Sequence, residues 1–410
     1  MNLSEVRIAI LGLGYVGLPL AVEFSKKYPV IGFDINMSRI NELKSGADST
    51  LEVSEEELSN AQKLSFSNNV SSLKDANVYI VTVPTPIDDH KRPDLSPLIK
   101  ASATLGGVVV KGDIVIYEST VYPGATEDEC IPVIEAVSGL KFNKDFFAGY
   151  SPERINPGDK ERNVSNILKV TSGSTPKAAS FIDDLYSSII VAGTFKASSI
   201  KVAEGSKIIE NVQRDVNIAL VNEIFQIFTN MGIDTNEVIE AASTKWNFMK
   251  LKPGLVGGHC IGVDPYYLLH KSGEKGYIPD LMRKGREIND GMSGYLVNDF
   301  LKNLINKKIN PIDLEVTILG FTFKENCPDI RNTKVYDLYM LLQKSGFQVQ
   351  IYDPVANSEE VFEEYGVKVD NELKKSTRVA FLAVGHEIIL SELEDVGFEY
   401  IYDFKGLLKK

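Results

Sequence analysis

Short apolar runs and amphipathic segments alternate along the first half of the chain. Runs that suit buried strands occur at residues 6–11, 30–35, 78–83, 114–119 and 146–150. Apolar residues at helical spacing occupy 16–28, 181–190 and a segment that begins at residue 38. Because elements that alternate in this way form parallel sheets covered on both faces, we expect such a sheet here.

The pattern changes to one continuous helix at about residue 197. Apolar positions recur at helical spacing to about residue 231 with no proline inside, and Gly232 follows, as a glycine past a helix end commonly does. Such a run is about three times the mean helix length of about 12 residues. Because it is apolar on several sides, it indicates either a strut between two domains or a dimer seam.

A second alternating region follows Asn310-Pro311. Helical patterns continue to about residue 304, and strands are then predicted at 316–321, 349–352, 379–384 and 400–403. We therefore expect an α/β protein with two Rossmann-like, doubly wound parallel-sheet domains joined by a long helix and a central helical region. The predicted domains are 1–193, 194–308 and 309–410.

Composition narrows the classes of protein to which the chain can belong. Of its 410 residues, 43% are hydrophobic and 24% charged, and the net charge of −12 argues against nonspecific binding to nucleic acid or an anionic membrane. No apolar run approaches the ~20 residues of a membrane-spanning helix. Three distant cysteines predict no disulfide framework and fit the reducing cytoplasm. Four scattered histidines give no metal-ligand spacing, so no metal is expected.

A glycine-rich turn opens the first predicted helix. Its G-x-G-x-x-G pattern follows a strand, and an aspartate ends the next strand. In dinucleotide-binding turns such glycines allow a tight turn, approach of the pyrophosphate and close helix packing, while the acidic residue binds the ribose of NAD. The alternative is three packing glycines in an ordinary turn. The predicted NAD contacts are Gly12, Gly14, Tyr15, Val16, Gly17 and Asp34.

Further cofactor contacts are predicted beside this turn. Arg39 either neutralises Asp34, touches a phosphate or is a solvated helix residue. Two strands end at the same sheet edge, where ligands bind, and the first ends in a rigid loop with two prolines. The Thr120 hydroxyl is expected to reach a water or the nicotinamide, unless it is an ordinary strand-end threonine. The predicted contacts from these two strand ends are Pro84, Thr85, Ser119 and Thr120.

A lone cysteine, Cys260, lies in a turn rich in glycine. Gly257, Gly258 and Gly262 would let the backbone approach a substrate closely. A cysteine nucleophile beside a nicotinamide suggests an enzyme that oxidises an alcohol, captures the aldehyde as a thiohemiacetal and oxidises it again. The alternatives are an inert buried cysteine and, with His259, a Cys-His protease. The protease is disfavoured because adjacent side chains rarely face each other, and we interpret the other two cysteines, Cys130 and Cys327, as structural.

Polar residues elsewhere complete the candidate chemistry. Lys207 and Asn211 share one face of the long helix and can stabilise an oxyanion on a substrate. The alternative is a salt-bridged surface strip that includes Glu204 and Arg214. Glu153 is a candidate general base for thioester hydrolysis or a solvated loop residue. Asp264 could position a water or bind Lys207.

These segments resemble the nucleotide-sugar 6-dehydrogenase family from end to end. The motifs that carry the resemblance are GLGYVGLPLA, VPTP, ESTVYPG, YSPERINPG, the Lys207/Asn211 helix, GGHCIGVDPYYL and GFTFKENCPDIRNTK, in that order. The resemblance implies that Cys260 is the nucleophile, and that Lys207 and Asn211 handle oxyanion and proton. It also implies catalytic roles for Thr120, Glu153 and Asp264.

The resemblance also implies substrate contacts and an assembly. Lys324 and Arg331 match residues that meet the substrate phosphate and the cofactor from the third domain, which would then bind the nucleotide sugar. Lys245 stands where many relatives carry an arginine that reaches a neighbouring subunit, although lysine lacks the bidentate fork. A cytoplasmic homodimer is expected, with the central domain providing dimerisation and catalysis.

The substrate follows from finer likeness to the N-acetylhexosamine branch. The YSPERINPG and VGGHCIGVDPYYL segments favour UDP-N-acetylglucosamine or UDP-N-acetylgalactosamine, used for surface polysaccharide, and make Arg154, His259 and Gly257 candidate sugar contacts. UDP-N-acetylmannosamine and UDP-glucose remain alternatives. So do a single-step NAD alcohol dehydrogenase, with a structural Cys260, and a non-catalytic nucleotide-sugar sensor.

Overall fold

The computed structural model describes residues 2–88, 90–154, 164–258, 261–373, 377–393 and 396–408. The chain divides into two compact units. The first contains Met1–Glu210 and Tyr266–Lys271, and the second contains Asn211–Pro265 and Ser272–Lys410. Among the described residues, none of the helices has both the length and the apolar character needed to cross a bilayer.

A parallel sheet of six strands forms the centre of the first unit. Its strands are β1 (Ile8–Leu11), β2 (Val30–Phe33), β3 (Leu64–Ser67), β4 (Val78–Val81), β5 (Ile114–Tyr117) and β6 (Phe147–Tyr150). The order is β3-β2-β1-β4-β5-β6, which reverses beside β1, the position where ligands bind in such sheets. A small parallel pair joins β7 (Lys169–Thr171) to β8 (Thr194–Lys196).

Helices flank this sheet, and three of them begin at residues suited to capping. They are α1 (Gly17–Ser25), α2 (Met37–Lys44), α3 (Glu55–Asn60), α4 (Ser96–Gly106), α5 (Ile131–Ser138) and α6 (Pro176–Ser187). Asn36 caps α2, Ser54 and Glu57 form a capping box on α3, and Thr175 caps α6. The four residues of β1, β4 and β5 are all buried, as their apolar runs predict.

Long helices dominate the middle of the chain. Helix α7 (Ile200–Met231) has 32 residues and contributes to both units, and Gly232 follows it with a φ of +72°. The next helices are α8 (Thr235–Ala242), α9 (Asp264–Glu274) and α10 (Asp280–Asn306).

A second parallel sheet lies in the second unit. Its strands are β9 (Glu315–Leu319), β10 (Gln348–Tyr352), β11 (Val379–Leu382) and β12 (Tyr400–Tyr402), in the order β10-β9-β11-β12. Its helices are α11 (Lys334–Lys344), α12 (Ser358–Tyr365) and α13 (Glu387–Glu392). Two Rossmann-type parallel sheets with a long helix and a helical region confirm the predicted fold class. The three domain boundaries stay a prediction.

Candidate active site

The glycine turn closes tightly between β1 and α1. Gly12 has a φ of +97°, in the left-handed region that favours glycine. A Cβ at position 17 would lie 1.8 Å from the Gly12 carbonyl oxygen, whereas a Cβ at Gly14 would meet nothing within 4 Å. The Leu13 N–H donates to the Asp34 carboxylate at 2.9 Å. The turn thus presents open backbone at the start of a helix, which fits a pyrophosphate.

Arg39 braces this turn. Its Nε donates to the Leu13 carbonyl at 2.9 Å, and its terminal nitrogens donate to Glu42 at 2.9 Å and Asp48 at 2.7 Å. Two carboxylates therefore balance the charge of the guanidinium. Asp34 places a further carboxylate at the end of β2, where it would repel a 2′-phosphate, so this site fits NAD better than NADP.

Hydrogen bonds fix the loops that follow β4 and β5. The Ser119 hydroxyl donates to the Val83 carbonyl at 2.6 Å, and the Tyr150 hydroxyl donates to the Ser119 carbonyl at 3.1 Å. The Tyr267 hydroxyl, which sequence reasoning did not single out, donates to the Pro86 carbonyl at 2.9 Å. The other predicted cofactor contacts lie at this edge: Pro84 is exposed, and Tyr15, Val16, Thr85 and Thr120 are half-buried.

Glu153 belongs to a buried cluster of charged side chains. It is 7% exposed, so the alternative of a solvated loop residue is wrong. Lys169 Nζ lies 2.6 Å from Glu118 Oε2 and 3.1 Å from Glu153 Oε2. The Tyr186 hydroxyl donates to Glu118. Sequence reasoning missed Glu118, Lys169 and Tyr186, because local pattern cannot show which charged residues become buried.

Helix α7 contributes two of the predicted residues, one turn apart. Lys207 and Asn211 are both buried, which removes the alternative of a surface strip. Glu204 is fully buried and accepts from the backbone N–H groups of Gly124 and Thr126. Burial raises the pKa of Glu204 to about 7, although these two hydrogen bonds oppose the shift. A neighbouring α7 residue, Glu210, forms an ion pair with Arg154.

The glycines before the cysteine pack against another segment of the second unit. A Cβ at Gly257 would lie 2.7 Å from the Asn332 carbonyl oxygen, and one at Gly258 would lie 2.9 Å from the Phe323 ring. Gly258 also has a φ of +76°. Side chains at either position would therefore displace this loop. Cys260 and His259, which follow it, lie outside the described residues, and Cys130 and Cys327 are both buried.

Asp264 begins α9 and accepts a hydrogen bond from the Asn211 side chain. Both residues are buried, with exposed fractions of 3% for Asp264 and 5% for Asn211. They are 53 positions apart in the chain, so spacing alone could not bring them together. The contact holds the Asn211 amide in one orientation.

A buried polar network supports the cysteine loop at both ends. Arg286 on α10 donates to Asp215 on α7, and to the carbonyl of Ile261 at 3.3 Å. Asn222 donates to the Gly254 carbonyl at 3.0 Å and accepts from the Gly254 N–H at 2.9 Å. Asn289 joins the two parts, because it bonds to both Asp215 and Asn222. Sequence reasoning missed these four side chains.

The predicted residues of the last domain lie on the loop after β9. Lys324 is half-buried, with its Nζ 5.4 Å from the centre of the Phe323 ring, and the Arg331 guanidinium donates two hydrogen bonds to Asp329. The buried side chains of His386 and Asp353 hold this loop in place through hydrogen bonds to its backbone. His386 Nδ1 accepts from the Asn326 N–H at 2.9 Å, and Asp353 accepts from the Thr322 N–H at 3.1 Å.

Lys245 is exposed in the segment after α8. Trp246, the next residue, is 92% exposed. The segment therefore presents a cation and an aromatic ring to its surroundings.

Comparison with known protein families identifies the family of this chain. Three family models match in succession: the NAD binding domain of the UDP-glucose/GDP-mannose dehydrogenase family at residues 6–190, its central domain at 201–291 and its UDP binding domain at 317–410. The chain belongs to the UDP-glucose/GDP-mannose dehydrogenase family. It is therefore an NAD-dependent oxidoreductase, and the predicted family and cofactor are confirmed.

Individual relatives cover nearly the whole chain. A UDP-N-acetyl-D-glucosamine 6-dehydrogenase of Pseudomonas aeruginosa is 57% identical, over 99% of this chain and 98% of that protein. One of Salmonella typhi is 56% identical, over 98% and 94%. A solved UDP-D-ManNAc dehydrogenase from Pyrococcus horikoshii superposes with a TM-score of 0.89 at 31% identity, over 98% and 96%.

Proposed function

We propose that this dehydrogenase oxidises the C6 hydroxyl of UDP-N-acetylglucosamine, or of its galacto epimer, to the carboxylate in two NAD-dependent steps. The observation that carries the proposal is the identity of more than half, over almost the full length, to two UDP-N-acetyl-D-glucosamine 6-dehydrogenases. Such a uronate would supply surface polysaccharide synthesis.

The residues of the chain divide the chemistry between them. NAD would supply the hydride acceptor for each oxidation, one molecule after the other, and the glycine turn and Asp34 would hold it. The C6 hydroxyl loses its proton to a bound water as its hydride leaves. Lys207 and Asn211 stabilise the negative charge that forms on the C6 oxygen, and Asp264 keeps the Asn211 amide oriented. Cys260 adds through sulfur to the aldehyde carbon, so that loss of the second hydride leaves a thioester.

Hydrolysis of the thioester then releases the acid. A water oxygen forms the new bond to the acyl carbon, its proton passes to Glu153, and the Cys260 thiolate leaves. Thr120 is half-buried just after β5, and its hydroxyl would orient this water. Burial of Glu153 favours this role. Because the carboxylate is shielded from bulk water, it can take a proton only from a water molecule that is bound in the site.

Substrate contacts are assigned by charge and position. Lys324 is a cation for the diphosphate, and Arg331 a cation for the cofactor. Arg154 and His259, with the Gly257 backbone, are assigned to the sugar and its acetamido group. Lys245 is assigned to the substrate of a neighbouring subunit.

A panel of UDP-sugars tests the proposal. UDP-N-acetylglucosamine, UDP-N-acetylgalactosamine, UDP-N-acetylmannosamine and UDP-glucose are each incubated with enzyme and NAD, and NADH and acid are measured. The proposal expects two NADH per sugar and highest kcat/KM with the first or second. Formation of one NADH per sugar would establish a single-step alcohol dehydrogenase. Binding of a UDP-sugar without formation of NADH would establish a sensor. If Cys260→Ala still forms two NADH per sugar, the covalent route is wrong.

We also propose that the enzyme is a cytoplasmic homodimer. Helix α7 carries exposed apolar residues in the second unit, among them Leu220, Ile227 and Met231. An apolar strip of this kind on a long helix is more readily covered by a second copy than left in water. Light scattering should give twice the chain mass for the wild type and for Val110→Glu, an exposed apolar site in the first unit. The Leu220→Glu/Ile227→Glu variant should be monomeric, and a dimeric variant would contradict the placement of the interface on this helix. A monomeric wild type would contradict the dimer itself.

A further inference from the structure

One buried ammonium group serves two buried carboxylates in the first unit. Lys169, at the start of β7, is 3% exposed and contacts Glu118 after β5 and Glu153 after β6. Its Nζ also lies 5.6 Å from the centre of the Tyr186 ring on α6. The cluster therefore holds two negative charges and one positive charge when all three groups are ionised.

The two carboxylates are held differently. Glu118 has a second anchor, because the Tyr186 hydroxyl donates to its other oxygen. Glu153 accepts from the adjacent Arg154 N–H and has Lys169 as its cation. The Arg154 guanidinium is paired with Glu210 instead. Lys169 is thus a charged partner of the carboxylate proposed as the hydrolytic base.

Electrostatics makes this partner important for the state of the base. Burial raises the pKa of Glu118, with Lys169 opposing the shift and Glu153 adding to it. Burial lowers the pKa of Lys169, but Glu118 first and Glu153 second outweigh it, so that its pKa is raised and the ammonium stays charged. Two buried carboxylates without such a cation would share a proton.

We propose that Lys169 is a positioning residue for the acid-forming step. Lys169 keeps Glu153 ionised and oriented, while Glu118 holds the Lys169 ammonium group in place. This inference rests on the proposed role of Glu153 as the base that takes the proton of water. Lys169 itself need not touch the substrate. Its effect passes through the charge and orientation of Glu153.

The two neighbours of Glu153 should move the pH profile in opposite directions. Lys169→Met removes an opposite charge, so the acidic limb of the acid-release rate should shift upward by at least about one pH unit, with a loss of about tenfold or more at pH values on that limb. Glu118→Gln removes a competing carboxylate while Lys169 remains, so the limb should shift downward. A purely structural role would lower the rate at every pH and leave the limb in place.

The measurement is a single turnover of UDP-N-acetylglucosamine, or of the panel sugar with the highest kcat/KM, followed by rapid quench. Mass spectrometry of the Cys260 peptide follows the thioester, and NADH absorbance follows the oxidations. In Lys169→Met the thioester should accumulate at pH values on the acidic limb and decay faster above it, with substrate KM changed less than about threefold. Lys111→Met is the matched control, because it breaks an exposed ion pair with Asp145 on the same unit.

The outcomes separate this inference from the proposed function. If Glu153→Gln releases acid at the wild-type rate, Glu153 is not the base and the proposed hydrolysis fails. If Glu153→Gln is slow while Lys169→Met and Glu118→Gln keep the wild-type limb, only the role of Lys169 is overturned. Should Lys169→Met not fold, Glu118→Gln alone decides, since a limb that stays in place or shifts upward overturns the proposal.

Discussion

Adding one methyl group at Gly17 should damage both the fold and NAD binding. The Cβ would lie 1.8 Å from the Gly12 carbonyl oxygen and 2.5 Å from Thr82 Oγ1. That hydroxyl donates to the same carbonyl at 2.7 Å, so neither atom can move without breaking a hydrogen bond. Helix α1 must therefore shift away from β1, although Leu18 and Leu20 pack in the core.

The size of both effects follows from this geometry. Overpacking costs about 1–3 kcal/mol, and a clash with backbone places Gly17→Ala near the upper end. For a unit of this size, about 3 kcal/mol lowers the melting temperature by roughly 6–12 °C. Loss of one backbone hydrogen bond to a charged phosphate, about 1.5–3 kcal/mol, weakens NAD binding roughly 10- to 100-fold.

Gly14 provides the matched control, because an added Cβ there meets nothing within 4 Å. Gly14→Ala should keep the wild-type melting temperature, yet weaken NAD, since the methyl group lies where the pyrophosphate approaches. Calorimetric titration with NAD and thermal unfolding measure the two effects separately. A Gly17→Ala protein with unchanged stability and affinity would refute the role assigned to the turn, and so would an unstable Gly14→Ala.

Three further variants test separate parts of the structure. Asp34→Ala should raise the kcat/KM ratio of NADP to NAD about tenfold or more, because a repelling carboxylate is removed; an unchanged ratio would exclude Asp34 from the ribose site. Arg286→Met should lower the free energy of unfolding by about 3–5 kcal/mol, because it leaves Asp215 buried without its cation. The double variant Arg286→Met/Asp215→Asn should recover part of this loss, and denaturant titration measures both. Burial raises the pKa of Glu204 to about 7 in the folded chain from 4.5, so folding takes up a proton, and stability falls by about 3 kcal/mol as pH rises from 4.5 to 7. Glu204→Gln should flatten that fall, and an unchanged slope between pH 5 and 7.5 would contradict it.

Most strands of the first sheet can be predicted from the sequence, because a fully buried strand appears as a short continuous run of apolar residues. Strands β1, β4 and β5 are apolar throughout, so their runs stand out. Strand β3 was missed because Leu64 and Phe66 are only half-buried and alternate with serines. Helix α6 begins at Pro176, five residues before the predicted start, because Thr175 caps it and proline suits a first turn.

The candidate site was predictable only in part, for a different reason. The glycine turn and Asp34 are close in sequence, so their joint use follows from motif and spacing. Glu153 could be picked out by its motif, but its partner Lys169 could not, because nothing in the sequence KVT signals a buried ammonium. Contacts between distant elements, such as Asn211 with Asp264, arise from the tertiary fold rather than from periodicity.

Three buried or nearly buried cations share one arrangement, in which each contacts two carboxylates. Arg39 lies between Glu42 and Asp48, Arg286 between Asp215 and Asp290, and Lys169 between Glu118 and Glu153. Apolar side chains of similar volume often stabilise a core as well as buried ion pairs do, so stability alone does not account for the three. Two of the cations also bind a backbone carbonyl, of Leu13 in the glycine turn and of Ile261 beside the cysteine, while the third binds the proposed base. Arg39 and Arg286 thus each join a pair of carboxylates to one backbone segment, and Lys169 joins Glu118 to the proposed base. Each contact gives its segment a single conformation that a non-directional apolar contact would not specify.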